Sequence, residues 1–283
     1  MAVQVPESRL IVLEGETNYA LTDDLTYINV LGNIQNNQIT GNSGNNTLNG
    51  DAGVDTLAGG TGDDVYVVDQ PNDFPGLIGD TVVEQAGQGT DTVYSYVGYA
   101  LDAHIENLIL FDNPEIPLTQ VISATGNNLN NTITGNQHDN DLYGEAGKDA
   151  LNGGLGEDSL HGGAGRDTLK GGAGRDVFVF DTKPNKATNL DRITDYNVKE
   201  DTLWLDNAIF KKLGPGTEDN PRKISKSFFE IGSKAQDKND FVLYNSKTGM
   251  LSYDADGSGR GKAVEIAQLS KNLKLTFNDI FIV

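Results

Sequence analysis

The 283-residue sequence contains no cysteine, which excludes both a disulfide framework and a thiolate metal site. Positive charge is scarce: 21 Lys and Arg against 41 Asp and Glu give a formal net charge of −20. This balance argues against a nucleic-acid binder and against adsorption to anionic lipid. No run approaches the roughly 18 apolar residues of a membrane span. Residues 1–16 lack a basic start followed by an apolar run, so we expect no secretory signal peptide.

Glycine and acidic residues dominate what is present. The chain has 34 glycines, and only 37 % of its residues are hydrophobic. Few apolar residues combined with so much unbalanced charge are typical of disordered chains. If the chain folds, something must therefore offset the negative charge.

Two blocks of nine-residue repeats determine the architecture. Residues 32–67 form four units in phase, and residues 126–179 form six. Position 1 is glycine in every unit, and position 8 is always apolar. Position 6 is Asn37, Asn46, Asp55, Asp64, Asn131, Asn140, Asp149, Asp158, Asp167 and Asp176 in turn. Such a period predicts a solenoid, because one unit cannot bury its single apolar side chain without stacked neighbours.

The repeat positions also predict a cation site. Position 8 lies in a short strand whose neighbouring side chains point the other way. The first six residues form a turn, in which glycine permits positive φ. Stacked turns would bring alternate carbonyls and the position-6 carboxylates into one gap. Oxygen ligands without nitrogen or sulfur suit Ca²⁺ better than Mg²⁺.

The repeats resemble those of a known family. The units GGLGEDSLH, GGAGRDTLK and GGAGRDVFV match the motif G-G-x-G-x-D-x-U-x of RTX (repeats-in-toxin) calcium-binding proteins. The resemblance implies an all-β fold: a right-handed parallel β-roll with two nonapeptides per coil and a C-terminal β cap. It also implies that calcium lies between turn n and turn n+2.

This stacking rule ranks the predicted calcium sites. The turn pairs 144/162 and 153/171 carry Asp at position 6 in both members, which predicts two firm sites. The pairs 126/144, 135/153, 32/50 and 41/59 combine Asn with Asp, which predicts up to four weak sites. Leu129 and His138 replace the position-4 glycine, so we expect altered geometry in those turns. The predicted calcium-binding residues are Gly50, Asp55, Gly59, Asp64, Gly144, Ala146, Asp149, Gly153, Leu155, Asp158, Gly162, Ala164, Asp167, Gly171, Ala173 and Asp176.

Four segments follow from the pattern: 1–67, a first module that includes block 32–67; 68–125, a solenoid spacer; 126–179, the second block; and 180–283, a cap. The cap is similar to that of serralysin-type proteases, and we expect a hairpin turn at Asn245–Gly249. The residues 279–283, Asp-Ile-Phe-Ile-Val, resemble an uncleaved type I secretion signal. The alternative is an ordinary last strand of the cap.

Other candidate groups carry weaker signals. Asp254 and Asp256 resemble half a calcium loop, but the spacing lacks the terminal Glu, so we expect a hairpin loop. Asp191, Asp195 and Asp201 are candidates for an extra site in the cap. The histidines, His104, His138 and His161, lack metal-binding spacing and are interpreted as surface or turn residues. No nucleophile elbow or phosphate-binding loop is present, so we predict no catalytic residues.

The resemblance implies a secreted, extracellular module that binds several structural calcium ions, folds on binding them, and uses the type I secretion machinery. The chain is predicted not to be an enzyme. The alternative is the non-catalytic tail of a secreted protease, lipase, alginate epimerase or adhesin. Such a tail could bind a polysaccharide or cell-surface ligand through solenoid aromatics such as Tyr94, Tyr96 and Tyr99.

Overall fold

The structure is a computed structural model that describes residues 9–22, 27–69, 79–114, 116–117 and 120–283. The chain divides into two compact units. Unit 1 comprises Met1–Pro117 and Ile122–Ile133, and unit 2 comprises Leu118–Val121 and Thr134–Val283. The described residues contain no helix long and apolar enough to cross a membrane.

Unit 1 is built from short parallel strands. They are β1 (Arg9–Val12), β2 (Asn18–Ala20), β3 (Tyr27–Leu31), β4 (Gln38–Thr40), β5 (Asn45–Asn49), β6 (Thr56–Ala58), β7 (Val65–Val68), β8 (Thr81–Val82), β9 (Thr92–Ser95), β10 (Tyr99–Ala100), β11 (Asn107–Leu110) and β12 (Ile122–Thr125), with β13 (Thr132–Thr134) at the boundary. One sheet has the order β1-β3-β5-β7-β9-β11, a second has the order β2-β4-β6-β8, and β10 pairs with β12.

Unit 2 continues with parallel strands and ends in a mixed cap. Its strands are β14 (Asn140–Tyr143), β15 (Ala146–Gly147), β16 (Ala150–Leu155), β17 (Ser159–His161), β18 (Ala164–Gly165), β19 (Thr168–Ala173), β20 (Val177–Phe180), β21 (Asp191–Ile193), β22 (Thr202–Leu205), β23 (Arg222–Lys223), β24 (Phe229–Ile231), β25 (Val242–Asn245), β26 (Met250–Tyr253), β27 (Val264–Gln268) and β28 (Ile280–Ile282). Two 3₁₀ turns, η1 (Lys226–Phe228) and η2 (Phe277–Asp279), lie in the cap. The sheet orders are β16-β19-β21-β27-β26-β25-β24, β14-β17-β20-β22-β28-β23 and β15-β18.

Strand register confirms two nonapeptides per coil. Leu48 pairs with Tyr66, and Leu151 pairs with Leu169, so paired residues in the repeats are one coil of 18 residues apart. The position-8 side chains form the core, and all ten have at most 1 % of their surface exposed: Ile39, Leu48, Leu57, Tyr66, Ile133, Leu142, Leu151, Leu160, Leu169 and Phe178. The fold is therefore the predicted all-β parallel roll.

The cap contains the predicted hairpins. Strands β25 and β26 pair antiparallel, and the turn between them closes with a 2.7 Å hydrogen bond from Gly249 N to the Asn245 carbonyl. Strands β26 and β27 also pair antiparallel, which confirms a hairpin loop around Asp254. Strand β28 lies between β22, which is parallel to it, and β23, which is antiparallel.

Two side chains lie where the sequence analysis does not place them. His161 is not a surface or turn residue: it lies in β17, is 7 % exposed, stacks on Tyr143, and has Nδ1 3.0 Å from Asp181 Oδ2. Alternation along β17 turns the position-9 side chain of His161 away from the core face that bears Leu160, and the Tyr143 ring covers it there. Tyr99 is fully buried and its hydroxyl donates to Asp102, so it offers no surface to a ligand.

Candidate metal centre

The glycine-rich turns fall into two classes according to the residue at position 6. The Asn-type turns begin at Gly32, Gly41, Gly126 and Gly135 and have Asn at both positions 2 and 6. In each, the position-6 side-chain oxygen accepts the position-2 backbone N–H at 2.8 Å. The position-2 side-chain oxygen then accepts the position-4 N–H at 2.8–3.0 Å. These turns are held by neutral hydrogen bonds within the turn.

The Asp-type turns have a different backbone. In all of them the position-2 residue has a positive φ: Asp51 (63°), Gly60 (101°), Glu145 (69°), Gly154 (110°), Gly163 (82°) and Gly172 (106°). None of the residues in the four Asn-type turns has a positive φ. Leu129 and His138 lie in Asn-type turns, and the turn at Gly41 has the same geometry although it keeps Gly44 at position 4. The geometry therefore follows the Asn residues of these turns and not the loss of the position-4 glycine.

A ladder of carboxylates connects successive coils. In five of the position-6 Asp residues, one carboxylate oxygen accepts the backbone N–H of the position-6 residue one coil earlier. Asp64 accepts from Asn46 at 2.7 Å, and Asp167 accepts from Asp149 at 2.9 Å. In the other rungs within the repeats, Asp55 accepts the N–H of Asn37, Asp158 accepts that of Asn140, and Asp176 accepts that of Asp158. This contact fixes one carboxylate oxygen and leaves the second for another partner.

The ladder continues beyond the repeats, through residues that the sequence analysis did not identify. In the next rungs of unit 1, Asp80 accepts the N–H of Asp55, Asp91 accepts that of Asp64, and Glu106 accepts that of Asp91. Each of these acidic residues is followed two positions later by a buried apolar residue, as in positions 6 to 8 of the repeat. That tripeptide was the available signal.

Candidate acids of the cap have separate roles. Asp191 and Asp201 are ladder rungs that accept the N–H groups of Asp167 and Asp176 at 3.1 and 3.2 Å. Asp195 instead accepts the N–H groups of Gly171 and Gly172 with its two oxygens. The three therefore do not form one cap site, and they extend the stacking of the second block into the cap.

Several position-6 oxygens are buried without a hydrogen-bond partner. These are the Oδ2 atoms of Asp55, Asp64 and Asp158, whose residues are each 1 % exposed. The ion pairs among the described residues do not include Asp55, Asp64 or Asp158. A buried carboxylate without a cationic partner is costly. These atoms are therefore suited to a cation.

The position-1 glycines reveal oxygen-lined cradles at the two pairs predicted to bind calcium most firmly. A Cβ atom on Gly153 would lie 2.2 Å from Asp158 Oδ2 and 2.5 Å from the Gly171 carbonyl oxygen. A Cβ atom on Gly144 would lie 2.7 Å from Asp149 Oδ2 and 2.6 Å from the Gly162 carbonyl oxygen. A side chain would fill this space, so glycine at position 1 keeps it open. The donor set, carboxylate and carbonyl oxygen, fits Ca²⁺.

Electrostatics within the ladder favour neutralisation. Burial, reinforced by the charge of Asp176, raises the pKa of Asp158 to about 8. Burial and the nearby Asp167 raise the pKa of Asp191 to about 8 as well. Burial likewise raises the pKa of Asp55 and Asp176 to about 6. At neutral pH a bound divalent cation would replace the protons that Asp158 and Asp191 otherwise retain.

The structure brings some predicted ligands together and places others elsewhere. Position-1 carbonyls and position-6 carboxylates converge in the cradles. The position-3 residues lie in short parallel ladders, in which Ala146 pairs with Ala164 and Leu155 pairs with Ala173. The Ala173 carbonyl accepts the Gly156 N–H at 3.0 Å. The roles of all sixteen residues as calcium ligands stay predictions.

Comparison with known proteins gives one family match. The family model described as RTX calcium-binding nonapeptide repeat (4 copies) matches residues 31–66, 125–160 and 152–181. A comparison with curated protein sequences finds no significant match.

Similar solved structures include the AlgE6R2 subunit of the Azotobacter vinelandii mannuronan C5-epimerase, which is 25 % identical with a TM-score of 0.35. That match covers 59 % of this chain and 95 % of the other. The extracellular lipase LipA from Serratia marcescens is 18 % identical with a TM-score of 0.34, over 92 % of this chain and 40 % of the lipase. The AlgE6R3 subunit of the epimerase is 24 % identical with a TM-score of 0.24, over 59 % of this chain and 81 % of the other.

Proposed function

Because residues 31–66 and 125–181 carry RTX calcium-binding nonapeptide repeats, we propose that this chain is a secreted, non-catalytic structural module that folds around calcium. The observation that carries the proposal is that the second oxygens of the buried Asp55, Asp64 and Asp158 carboxylates lack hydrogen-bond partners. Asp158 Oδ2 and the Gly171 carbonyl of the next coil line the same space beside Gly153. Calcium supplies positive charge there and performs no chemistry on a substrate.

The two turn classes support unequal calcium affinity. In the pairs 144/162 and 153/171 both turns contribute a carboxylate, so the cation neutralises two charges. The Asn-type turns are neutral, and their polar side chains hydrogen-bond within the turn or to neighbouring backbone, as Asn131 does to the Ile105 carbonyl at 3.0 Å. Pairs that contain such a turn offer one charge fewer and have less need of an ion. Two firm sites and up to four weak ones follow.

Calcium binding would couple folding to export. Extracellular calcium modules bind with dissociation constants of about 10⁻⁴–10⁻³ M, so they stay empty where free calcium is low. A site absent from the unfolded chain converts binding free energy into folding free energy. The segment 279–283, which resembles a type I secretion signal, includes Ile280 and Ile282, which are 0 % and 1 % exposed. The secretion machinery would therefore have to recognise this segment before the cap folds.

A role as the tail of a secreted enzyme or adhesin, with a polysaccharide or cell-surface partner, stays an alternative. Of the aromatic residues considered for such a ligand, Tyr94 and Tyr96 lie beside Phe111, with ring centroids 4.9 and 5.5 Å away. Tyr96 and Phe111 are 38 % and 40 % exposed. This group of rings is the surface that such a ligand would contact.

The test is calcium-dependent folding. In EGTA we expect the far-ultraviolet circular dichroism to lose most of its β signal, and calcium to restore it, because buried carboxylates repel one another without the ion. Calorimetric titration of Asp167→Ala should then show one calcium fewer, since the 144/162 site loses a carboxylate. The control is Asp219→Asn, an exposed acid of the cap. A chain that is fully β-structured in EGTA, or an unchanged stoichiometry in Asp167→Ala, contradicts the proposal.

A further inference from the structure

A buried glutamate lies outside the repeats and beside the last turn of the first block. Glu84 follows strand β8 in the spacer and is 8 % exposed. It faces Asp64, the position-6 residue of the turn that begins at Gly59, and Asp91, the next rung of the ladder. One carboxylate oxygen from each of the three residues lies within 4.8 Å of the others.

Hydrogen bonds fix one side of this cluster and leave the other side open. Asp64 Oδ1 accepts the Asn46 N–H at 2.7 Å, and Asp91 Oδ1 accepts the Asp64 N–H at 2.8 Å. The Tyr66 hydroxyl accepts the Gly59 N–H at 2.8 Å and donates to Glu84 Oε1. Asp64 Oδ2 and Glu84 Oε2 are buried and have no hydrogen-bond partner. Two oxygens of an otherwise ordered cluster are thus left for a ligand.

The dimensions and charge of the cluster match a bound divalent ion. Calcium binds oxygens at about 2.3–2.6 Å, so two ligands on opposite sides of one ion are about 5 Å apart. The three oxygens already fall within that separation. No ion pair among the described residues includes any of the three acids.

We propose that Asp64, Glu84 and Asp91 bind one divalent cation, with Ca²⁺ the fitting ion, where the first repeat block meets the spacer. Tyr66 is a positioning residue, because its hydroxyl holds Glu84 and does not belong to the carboxylate cluster. This site differs from the repeat pairing of turns 41 and 59, since its second and third carboxylates come from the following coil. The proposal does not depend on occupancy of the repeat sites in unit 2.

The experiment is calcium calorimetry on the full chain with Glu84→Gln, which keeps the acceptor for Tyr66 but removes one charge. The matched control is Glu14→Gln, an exposed acid of unit 1. We expect Glu84→Gln to bind one calcium ion fewer than the wild type, and Glu14→Gln to bind the same number. In saturating calcium Glu84→Gln should give the same β circular dichroism as the wild type, which shows that the variant folds.

A second measurement uses terbium, which takes the place of calcium and emits when a nearby tyrosine absorbs light. Glu84→Gln and Asp91→Asn should each lower the tyrosine-sensitised emission of bound terbium, and calcium should compete for the wild-type signal. Tyr66→Phe should also lower this emission, because it removes the nearest sensitiser. Asp158→Asn, in the second block, should leave the emission of terbium bound beside Tyr66 unchanged.

The outcomes separate this site from the repeat sites. If Asp158→Asn lowers the calcium count but Glu84→Gln and Asp91→Asn do not, the inference is overturned and the proposed function stands. If Glu84→Gln and Asp91→Asn lower the count but Asp158→Asn does not, the site is supported and the repeat site proposed at Asp158 fails. An equal calcium count and equal terbium emission in the wild type and in both cluster variants would refute the site.

Discussion

Glu145 occupies a backbone conformation that glycine adopts in four of the six Asp-type turns. Its φ is +69°, at position 2 of the turn that begins at Gly144, whereas Gly163 holds the same position one coil later with φ +82°. A side chain with a Cβ atom is strained in this left-handed region, at a cost of about 1–2 kcal/mol. The repeat therefore tolerates a non-glycine residue at position 2 at the expense of stability.

We expect Glu145→Gly to raise the free energy of unfolding by about 1 kcal/mol, because relief of the strain exceeds the entropy that glycine adds to the unfolded chain. Denaturant unfolding in saturating calcium measures the difference. The matched control is Lys148→Gly, in the same turn but at an ordinary φ, which should lower stability by about 0.5–1 kcal/mol. A Glu145→Gly variant less stable than the wild type would show that the Glu145 side chain contributes more than its strain costs.

At the scale of elements, strand β28 closes the apolar end of unit 2. Ile280 and Ile282 pair with β22 on one side, and their side chains are buried. Phe281, between them, is half-buried and lies 5.7 Å from the Lys223 ammonium. A solenoid needs such a terminal unit to cover its last apolar face. The segment thus has a structural role in the folded protein, whether or not it also carries the secretion signal.

Ile280→Ala should lower the free energy of unfolding by about 3 kcal/mol, because it opens a cavity in the cap core. Phe281→Ala, on the other face of the same strand, should cost less. Chemical denaturation at fixed calcium compares the two variants. Equal losses would mean that β28 is not packed through the face that bears Ile280.

At the scale of the whole molecule, a chain of net charge −20 stacks part of its acidic residues as buried carboxylates in the ladder. Burial raises the pKa of Asp158 and Asp191 to about 8 and that of Asp55 and Asp176 to about 6. Their values in the unfolded chain are near 4. The metal-free folded form therefore holds protons that the unfolded form releases, so these groups stabilise it fully below about pH 4. That contribution is lost as the pH rises through about 6 to about 8.

We therefore expect the β signal in the circular dichroism of calcium-free protein to be largest near pH 4 and to fall between about pH 5 and about pH 8.5. In saturating calcium the trend should reverse, because deprotonated carboxylates bind the ion. Calorimetry in buffers of different ionisation enthalpy should also detect proton release on calcium binding at pH 7. A metal-free β signal that rises over this range would contradict the raised pKa values.

The sequence predicts the repeating part of this fold well, since one physical rule acts at every coil. An apolar residue at position 8 must be buried against the next coil, so the 18-residue period, the strand register and the core residues follow directly. The hairpin at Asn245–Gly249 follows from local turn chemistry. The histidines were harder: the interpretation of His161 as a surface or turn residue was wrong, because its burial depends on Tyr143 and Asp181.

The rungs beyond the repeats could not be predicted from spacing. Within the repeats the ladder steps are 18 residues, but Asp80 lies 25 residues after its partner, Asp91 lies 27 after and Glu106 lies 15 after. Glu84 has no repeat position, so nothing in its spacing associates it with Asp64 and Asp91.

The sequence by itself determined the period, the core and the presence of two kinds of turn, because these depend on residue type at fixed intervals along the chain. Only the tertiary structure decided which acids outside the repeats join the ladder and which oxygens are left without partners. Coils of unequal length can be aligned only by stacking in space, and a buried carboxylate is identified as unsatisfied only when its surroundings in the fold are known.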